Sequence, residues 1–500
     1  MVLCVQMASV MLAGAVNVVR TGNIQEPETM DPAEAWIDTA SIYIENIFNT
    51  LVDVDPDSLK IRPSLAKSWY SNKEGTVWDF KLRRGVKFHD GTDFDADAVV
   101  FTFKRQMEEQ FKYGEFVLFK EIFPFLKEVK KTGKFEVRFI LKEPFFPFPA
   151  SLSAGCASIV SPSALEERKE NFRLNPVGTG PYKLKKWVAG KMIVLESFKD
   201  YWMGKPGIGK YVSVIEPSID KLFEMFRKQE IDILMSFSIS KLVVFRGYDW
   251  VDYAYSPSLS TAYIAFNMHN RYLKRINVRK AINHLWNKDI LKLVYQNHVQ
   301  PLCSLFPKGI SGYDCDMDKY PLSFETAREL LKKEGLEKGF ELRFLTVRES
   351  DLELPTVHRF AANLKKAGIK IRIINVGYDE YVKKISAGDY DLAFAEWVAD
   401  YPDPFSIISP LFSEKIQEQG LANFSSTDNS DIIALIREAR SIKDPAVRER
   451  FYLKLNNMVV DRALMVPLHQ RINLIIYNKR IGKLKHSRLG MIDLFLLGKQ

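Results

Sequence analysis

The sequence predicts an α/β protein that contains more than one domain. Between residues 341 and 397, strands and amphipathic helices alternate in the order β-α-β-α-β, which is typical of a mostly parallel sheet. The chain has 500 residues, of which 46% are hydrophobic and 27% are charged. A chain of this length and composition buries large cores and usually divides into domains. The composition therefore excludes a disordered or fibrous protein.

The N-terminal segment differs from the rest of the chain. Residues 2–19 carry no charge, and Ala13-Gly14-Ala15 supplies the small residues at which signal peptides are cleaved. We therefore predict a leader over residues 1–19 and export to the periplasm or another extracytoplasmic space, although the usual basic start of a signal peptide is lacking. A permanent membrane helix is disfavoured because the run is short and interrupted by polar residues. Lipidation of the Cys4 side chain remains a possible modification of the leader.

The next 90 residues predict two helices and a sheet. The first helix covers about residues 39–51 and carries apolar residues at helical spacing. Residues 77–83 nearly alternate between polar and apolar side chains, which predicts a strand of a half-buried sheet. The second helix follows Asp95, which we expect to cap it.

Three aspartates near this cap have the spacing of calcium ligands. Asp93, Asp95 and Asp97 match the first three liganding positions of an EF-hand loop. However, Ala98 stands where that loop needs glycine for its turn, and Lys104 stands where it needs a bidentate glutamate. We therefore expect no calcium site.

The second half of the chain carries the β-α-β-α-β unit. We predict strands over residues 341–347, 369–376 and about 392–397. The helix between the first two strands ends at Gly368, a typical residue after a helix, and the second helix covers about residues 379–387.

Four side chains follow the predicted strands at one edge of the sheet. Arg348 comes after the first strand, and Trp397, Asp400 and Tyr401 come at the end of the third, before two prolines that stiffen the chain. Parallel sheets bind ligands outside the carboxyl ends of their strands. A cation, an anion and an aromatic face are therefore expected on one rim.

The four cysteines predict neither a zinc site nor a disulfide-rich scaffold. No CxxC pair is present, so we expect no metal. Cys303 and Cys315 flank a loop that contains proline and glycine, and they could close a disulfide, while Cys156 would stay unpaired.

Nucleotide and nucleic-acid binding are disfavoured. The 71 basic residues are nearly balanced by 62 acidic ones, and no dense Lys/Arg run is present, so a nucleic-acid surface is not expected. Gly178-Thr-Gly-Pro181 lacks the Gly-Lys-Ser/Thr ending of a phosphate-binding loop. We predict instead a tight turn packed at a domain junction.

Catalysis is also disfavoured. The seven histidines form no HExxH motif, and no Gly-x-Ser-x-Gly elbow is present. Glu396 and Asp400 could be imagined as a glycosidase pair, but nothing else in the sequence indicates a general acid. We therefore expect a binding protein without a cofactor and keep a glycoside hydrolase as a distant alternative.

Motifs spread over nearly the whole chain resemble one protein family. They are PSLAKSW (63–69), GTVWDFKLRRGVKFHDGT (75–92), DADAVVFTFKR (95–105), NPVGTGPY (175–182), DYWMGKP (200–206), NVRKAIN (277–283) and DYPDP (400–404). In content and order they are similar to the family 5 extracellular solute-binding proteins, the peptide-binding receptors of ABC importers.

The resemblance implies a two-lobed periplasmic-binding-protein fold built from three domains. The predicted division is a leader at 1–19, a discontinuous first domain at 20–45, 171–266 and 470–500, an inserted second domain at 46–170, and a third α/β domain at 267–469. A solute would bind between the lobes and be buried by hinge closure.

The resemblance also implies a ligand and partners. A monomeric receptor would capture a short peptide and deliver it to a membrane permease with its ATPase. Family members also bind oligosaccharides, and the 8 Trp, 20 Tyr and 34 Phe residues could supply sugar-stacking surfaces, so an oligosaccharide remains the alternative ligand. Ligand length and affinity stay open.

Particular residues acquire roles from the resemblance. Asp400 is expected to pair with the α-ammonium group of the peptide. Arg348 is the candidate partner of a ligand carboxylate, and Trp397 and Tyr401 are candidate ligand contacts from the same rim. Two more candidates, on the near wall of the cleft, are Trp36 and Ile37. The sequence departs from some oligopeptide receptors, which have an arginine six residues before the amine-binding aspartate, where this chain has Phe394.

Overall fold

The computed structural model describes residues 16–499 apart from 36–37, 110–118, 120–121, 238, 316–317, 349, 351, 413–429 and 491. The described strands are β1 (Val18–Asn23), β2 (Val52–Val54), β3 (Ile61–Pro63), β4 (Ala66–Ser71), β5 (Val77–Leu82), β6 (Leu126–Gly133), β7 (Glu136–Leu141), β8 (Tyr182–Val188), β9 (Met192–Ser197), β10 (Lys210–Ile215), β11 (Ile233–Leu234), β12 (Val251–Pro257), β13 (Ser260–Phe266), β14 (Val299–Pro301), β15 (Phe340–Val347), β16 (Ile369–Val376), β17 (Leu392–Val398) and β18 (Met465–Asn478). The described α-helices are α1 (Asp38–Ile47), α2 (Ala96–Glu109), α3 (Phe148–Ser151), α4 (Pro162–Arg168), α5 (Ile219–Arg227), α6 (Ile276–His284), α7 (Asp289–Tyr295), α8 (Phe324–Lys333), α9 (Glu353–Lys366), α10 (Tyr378–Ser386), α11 (Phe405–Phe412), α12 (Ser430–Arg440) and α13 (Pro445–Asp461).

The long strand β18 joins two halves of one large sheet. Its first half, up to Arg471, pairs with β13 and β14, and its second half, from Ile472, pairs with β12 and β11. We use lobe I for residues 16–257 and 472–499, and lobe II for residues 258–471. The return of the chain to the first lobe was predicted near His469 and Gln470, and the change of pairing partners occurs directly after them.

The predicted β-α-β-α-β unit is confirmed in lobe II. Strand β15 pairs in parallel with β16 on one side and with β17 on the other. Helices α9 and α10 connect the strands, and Gly368 follows α9 with a φ of +90°, as expected for a glycine that ends a helix. The carboxyl ends of β15 and β17 therefore lie at the same edge of the sheet.

The entry into lobe II lies earlier than predicted. Strand β13 pairs along its whole length with β17, from Ser260 opposite Val398 to Phe266 opposite Leu392, and all seven of its residues are buried. A strand with buried residues on both faces belongs to the middle of a sheet. The chain therefore crosses near Ser258, and the predicted start of the third domain at residue 267 is corrected.

The predicted end of the leader is also corrected. Val18 and Val19 belong to β1, which pairs in parallel with β10, and Val18 lies opposite Lys210. A segment paired inside the sheet is part of the folded protein, so a leader would have to end before residue 18. Cys4 and the cleavage motif at residues 13–15 lie outside the described residues.

The predicted second domain contains a separate antiparallel sheet. Its strand order is β4-β5-β7-β6, and α2 packs against β6 and β7. Phe80, Phe103 and Phe139 form edge-to-face pairs in its core, with ring centroids 5.0–5.5 Å apart. As predicted, Asp95 accepts a hydrogen bond from the first turn of α2, from the backbone N–H of Asp97 at 2.9 Å.

The glycine-rich turn at residues 178–180 packs against the end of α1. The backbone N–H of Gly180 donates to the carbonyl of Ile47 at 2.8 Å, and a Cβ at Gly178 would lie 2.2 Å from that carbonyl oxygen. The turn therefore uses glycine for close approach, as the sequence predicted. The predicted helix extended to residue 51, but α1 ends at Ile47. The Gly180 N–H occupies the Ile47 carbonyl, which would otherwise accept the hydrogen bond of the next helical turn.

Cys303 and Cys315 are disulfide-bonded, with their Cα atoms 5.4 Å apart, and Cys156 is a buried free cysteine. Across the described residues, we find no helix with the length and apolar character needed to cross a bilayer.

Candidate ligand-binding cleft

A cavity of about 460 Å³ lies between the two lobes. Lobe I contributes Ala35, Ser41, Ile44, Glu45, Ile122 and residues 154–156. Lobe II contributes Val347, Glu353, Tyr378, Tyr381, Val382, Ile385, residues 394–398 and Asp400. The volume is within the range of small-molecule sites. The cavity lies at the carboxyl ends of β15 and β17, the edge at which the sequence predicted ligand binding.

Asp400 and Trp397 are fixed by the start of α11. The backbone N–H of Asp400 donates to the Ser406 hydroxyl, and the Trp397 indole donates to the Ser406 carbonyl, both at 2.8 Å. The buried Asp403 carboxylate in turn accepts from the backbone N–H of Phe405 at 2.9 Å. The first turn of α11 therefore fixes Trp397, near the end of β17, and Asp400, in the loop after it, at the cavity wall.

The other predicted site residues are placed differently. Arg348 is exposed, and its backbone N–H donates to the carbonyl of Val376, while its neighbour Val347 lines the cavity instead. Tyr401 was predicted to contact the ligand, but its side chain is 1% exposed, lies in the core and does not line the cavity. The reason is that the chain turns after Asp400 and directs the next side chain inward. Trp36 and Ile37 lie outside the described residues, directly after the cavity residue Ala35.

Three further carboxyl groups line the cavity, and sequence reasoning assigned none of them to ligand binding. Glu353 begins α9 and accepts hydrogen bonds from the Thr346 hydroxyl at 3.0 Å and from the Val347 N–H at 3.3 Å. Burial raises its pKa to about 7, although these hydrogen bonds act in the opposite direction. Its position at the start of the helix that follows β15 was the signal that could have identified it.

Glu45 and Glu396 complete the acidic lining. Burial, with a smaller contribution from Asp53 and Asp493, raises the pKa of Glu45 well above its usual value. Burial also opposes ionisation of Glu396, but Arg471, whose Nε lies 2.8 Å from its carboxylate, outweighs this and holds the pKa below the usual value. Glu396, the partner of Asp400 in the glycosidase alternative, is thus an ion-paired carboxylate.

The three aspartates with calcium-like spacing have other partners. Asp93 pairs with Lys87 and Asp97 with Lys131, each at 2.6 Å, and Asp95 caps α2. Within the described ranges, no group of three or more His, Cys, Asp or Glu residues could hold a metal ion.

Comparison with known proteins decides the family. A sequence profile of the bacterial extracellular solute-binding proteins, family 5, middle region, matches residues 60–419. The chain belongs to this family. The predicted resemblance and the α/β binding-protein fold are thereby confirmed, and the family 5 assignment makes the interlobe cavity the candidate solute site.

Two relatives match this chain over most of their length. The dipeptide-binding protein of Escherichia coli is 30% identical over 440 residues, which are 83% of this chain and 82% of the relative. Heme-binding protein A of Haemophilus influenzae is 28% identical over 470 residues, which are 89% of this chain and 85% of the relative.

Solved structures of similar proteins have the same fold. The Helicobacter pylori periplasmic binding protein DppA, in complex with the peptide STSA, is 27% identical, with a TM-score of 0.82 and coverage of 96% of this chain and 97% of that one. NikA from Brucella suis, in complex with Fe(III)-EDTA, has a TM-score of 0.86 at 21% identity, with coverage of 96% and 99%, and supports the fold alone.

Proposed function

We propose that this protein is the extracytoplasmic receptor of an ABC importer and that it captures a short peptide between its lobes. The observation that carries the proposal is the position of Asp400 at the wall of the interlobe cavity, where its backbone N–H donates to the Ser406 hydroxyl. The names of the E. coli and H. pylori relatives, a dipeptide-binding protein and a complex with a tetrapeptide, support a peptide rather than an oligosaccharide.

In the proposed complex, Asp400 accepts hydrogen bonds from the α-ammonium group of the peptide. Such bonds between charged groups are strong where the cleft excludes water. The aromatic rings of Trp397 and Phe394 form an apolar part of the cavity wall, against which the peptide side chains would pack. Closure of the lobes buries the peptide, and the closed receptor would deliver it to a permease with its ATPase. The receptor would act as an exported monomer without catalysis or cofactor.

The proposal is tested with Asp400→Asn. Removing the charge should weaken binding of a dipeptide such as Ala-Ala by about 2–5 kcal/mol, because the ammonium group loses its partner inside the cleft. Isothermal titration calorimetry on ligand-stripped protein measures the change. Asp249→Asn is the matched control, since Asp249 is exposed and does not line the cavity.

A second ligand makes the test specific for the ammonium group. N-acetyl-Ala-Ala lacks the charge, so it should bind the wild-type protein weakly and lose little more in Asp400→Asn. Equal affinity of the wild-type and variant proteins for Ala-Ala would remove the role of Asp400. Failure of the wild-type protein to bind any short peptide would refute the proposed function itself.

A further inference from the structure

We propose that the cleft selects peptides that carry a basic side chain in addition to the α-ammonium group. This inference rests on the proposed function and specifies its substrate class. Every ionisable side chain other than tyrosine and cysteine that the described cavity wall contains is a carboxyl group, namely Glu45, Glu353, Glu396 and Asp400. A dipeptide with neutral side chains offers only one positive charge to this set.

The carboxyl groups come from both sides of the cleft. Glu45 lies on α1 of lobe I, while Glu353, Glu396 and Asp400 belong to lobe II. A ligand that bridges the lobes therefore meets acidic side chains at both of its ends. A second cationic group, at some distance from the α-ammonium, fits this arrangement better than a carboxylate does.

Nearby cations do not neutralise the whole set. Arg471 pairs with Glu396 at 2.8 Å. The charged groups that act on Glu353 are Glu396 and Arg471, and those that act on Glu45 are Asp53 and Asp493, which are both acidic. Burial raises the pKa of both Glu353 and Glu45 and so favours their neutral forms, and a bound ammonium group would favour ionisation of these carboxyl groups.

The described wall also lacks a cationic side chain for a carboxylate of the ligand. Arg348, which the sequence suggested for a ligand carboxylate, is exposed and is not part of the lining. Among the described lining residues, no lysine, arginine or histidine is available to hold an acidic side chain. An acidic peptide would bring an additional negative charge to carboxylates inside a cleft that excludes water, which is unfavourable.

The experiment compares peptides that differ only in charge. Ala-Lys, Ala-norleucine and Ala-Glu, together with the reversed set Lys-Ala, norleucine-Ala and Glu-Ala, are titrated into ligand-stripped wild-type protein at pH 7.5 by calorimetry. We expect the lysine peptide of at least one set to bind at least tenfold more tightly than its norleucine analogue, and both acidic peptides to bind more weakly than the neutral ones.

The outcomes separate this inference from the proposed function. If neutral or acidic peptides bind as tightly as the lysine peptides in both sets, the charge preference is wrong while the peptide receptor stands. If none of the six peptides binds, the proposed function fails.

Variants then assign the preference to the cleft. In Glu353→Gln and Glu45→Gln, the ratio of the norleucine and lysine dissociation constants should fall at least threefold, because an amide of the same size cannot ionise beside the lysine ammonium group. Glu329→Gln, an exposed position outside the cavity, should keep the wild-type ratio. Unchanged ratios in both cleft variants would contradict the assignment.

Discussion

Glu353 has a carboxyl group whose protonation couples the fold to pH. Its side chain accepts hydrogen bonds from Thr346 and Val347 at the end of β15, and burial raises its pKa from 4.5 to about 7. In the unfolded chain the same group titrates near its ordinary value. Between these two pH values, the folded protein holds a proton that the unfolded chain has released.

This difference predicts a fall in stability with rising pH. The contribution of Glu353 is fully present below about pH 4.5 and is lost as the pH rises through about 7, because the folded state binds the extra proton. Glu353→Gln has a neutral side chain that can accept the same two hydrogen bonds. The wild-type protein should therefore lose up to about 3 kcal/mol of unfolding free energy relative to this variant between pH 4.5 and 7.5.

Urea denaturation at a series of pH values in the absence of ligand measures the effect. The exposed Glu329→Gln control should follow the wild-type curve. Parallel curves for the wild type and Glu353→Gln would show that folding does not raise the pKa of Glu353.

Individual site residues were predictable from sequence where strand order alone determined their position. Trp397 lies near the end of a buried strand and Asp400 follows it, and the carboxyl ends of parallel strands share one edge. Arg348 follows a strand equally closely, but the direction of a loop side chain depends on tertiary packing, and this one faces solvent. The raised pKa of Glu45 likewise arises from desolvation, which a sequence does not record.

At the scale of elements, the turn at residues 178–180 fixes the end of α1 against the second predicted domain. His89 accepts a hydrogen bond at Nδ1 from the Gly178 N–H at 3.4 Å and donates from Nε2 to the Gly180 carbonyl at 2.9 Å. These two bonds define a neutral imidazole, and burial lowers the pKa of His89 to about 4. The turn thus contacts α1 on one side and His89 on the other.

Substitution of Gly178 should be costly. A Cβ there would lie 2.2 Å from the carbonyl oxygen of Ile47, which is backbone and cannot rotate away. Gly178→Ala should therefore lower the free energy of unfolding by about 1–3 kcal/mol. In Gly133→Ala the nearest atom to the new Cβ is 3.6 Å away, so this control should change stability little.

Chemical denaturation of both variants tests the prediction. A loss in Gly178→Ala no larger than that in Gly133→Ala would mean that the junction relaxes around the new methyl group.

The motif was predictable because its glycines indicate close approach. By contrast, the crossing before β13 was missed, since the residues of a strand do not reveal which lobe pairs with it when both of its faces are buried.

At the scale of the whole molecule, contacts outside β18 also join the lobes. The backbone N–H of Phe146 in lobe I donates to the carbonyl of Arg440 in lobe II at 3.0 Å. The Arg440 guanidinium lies over the Phe125 ring, 3.8 Å from its centroid, and pairs with Glu143. The ring of Phe405 packs 4.9 Å from that of Phe145. The structure therefore represents a closed arrangement of the lobes.

Family and fold were predictable at this scale because motif order and strand–helix alternation extend over the whole chain. The closed arrangement was not predictable, since Glu143 and Arg440 lie about 300 residues apart in the sequence and no sequence pattern links them. Whether two lobes touch is decided by the balance between open and closed states, and a ligand shifts this balance only by binding one state more tightly.

This balance gives the last prediction. The Arg440 side chain is 7% exposed, so Glu143→Gln leaves a buried cation without its counter-charge only when the lobes are closed. Glu143 itself is half exposed, which limits the effect to about 1 kcal/mol, or roughly fivefold. Because a receptor that binds only when closed loses affinity in proportion to its closed population, the peptide should bind up to about fivefold more weakly and dissociate faster.

Stopped-flow tryptophan fluorescence measures the dissociation rate, and small-angle X-ray scattering of the ligand-free variant should show a larger radius of gyration than the wild type. Glu167→Gln, an exposed glutamate on α4, is the control that should change neither quantity. If Glu143→Gln lowers affinity without changing the dissociation rate or the radius of gyration, the ion pair does not hold the lobes together. Faster dissociation with an expanded free protein would show that closure, and not only the cleft lining, determines how long this receptor retains its peptide.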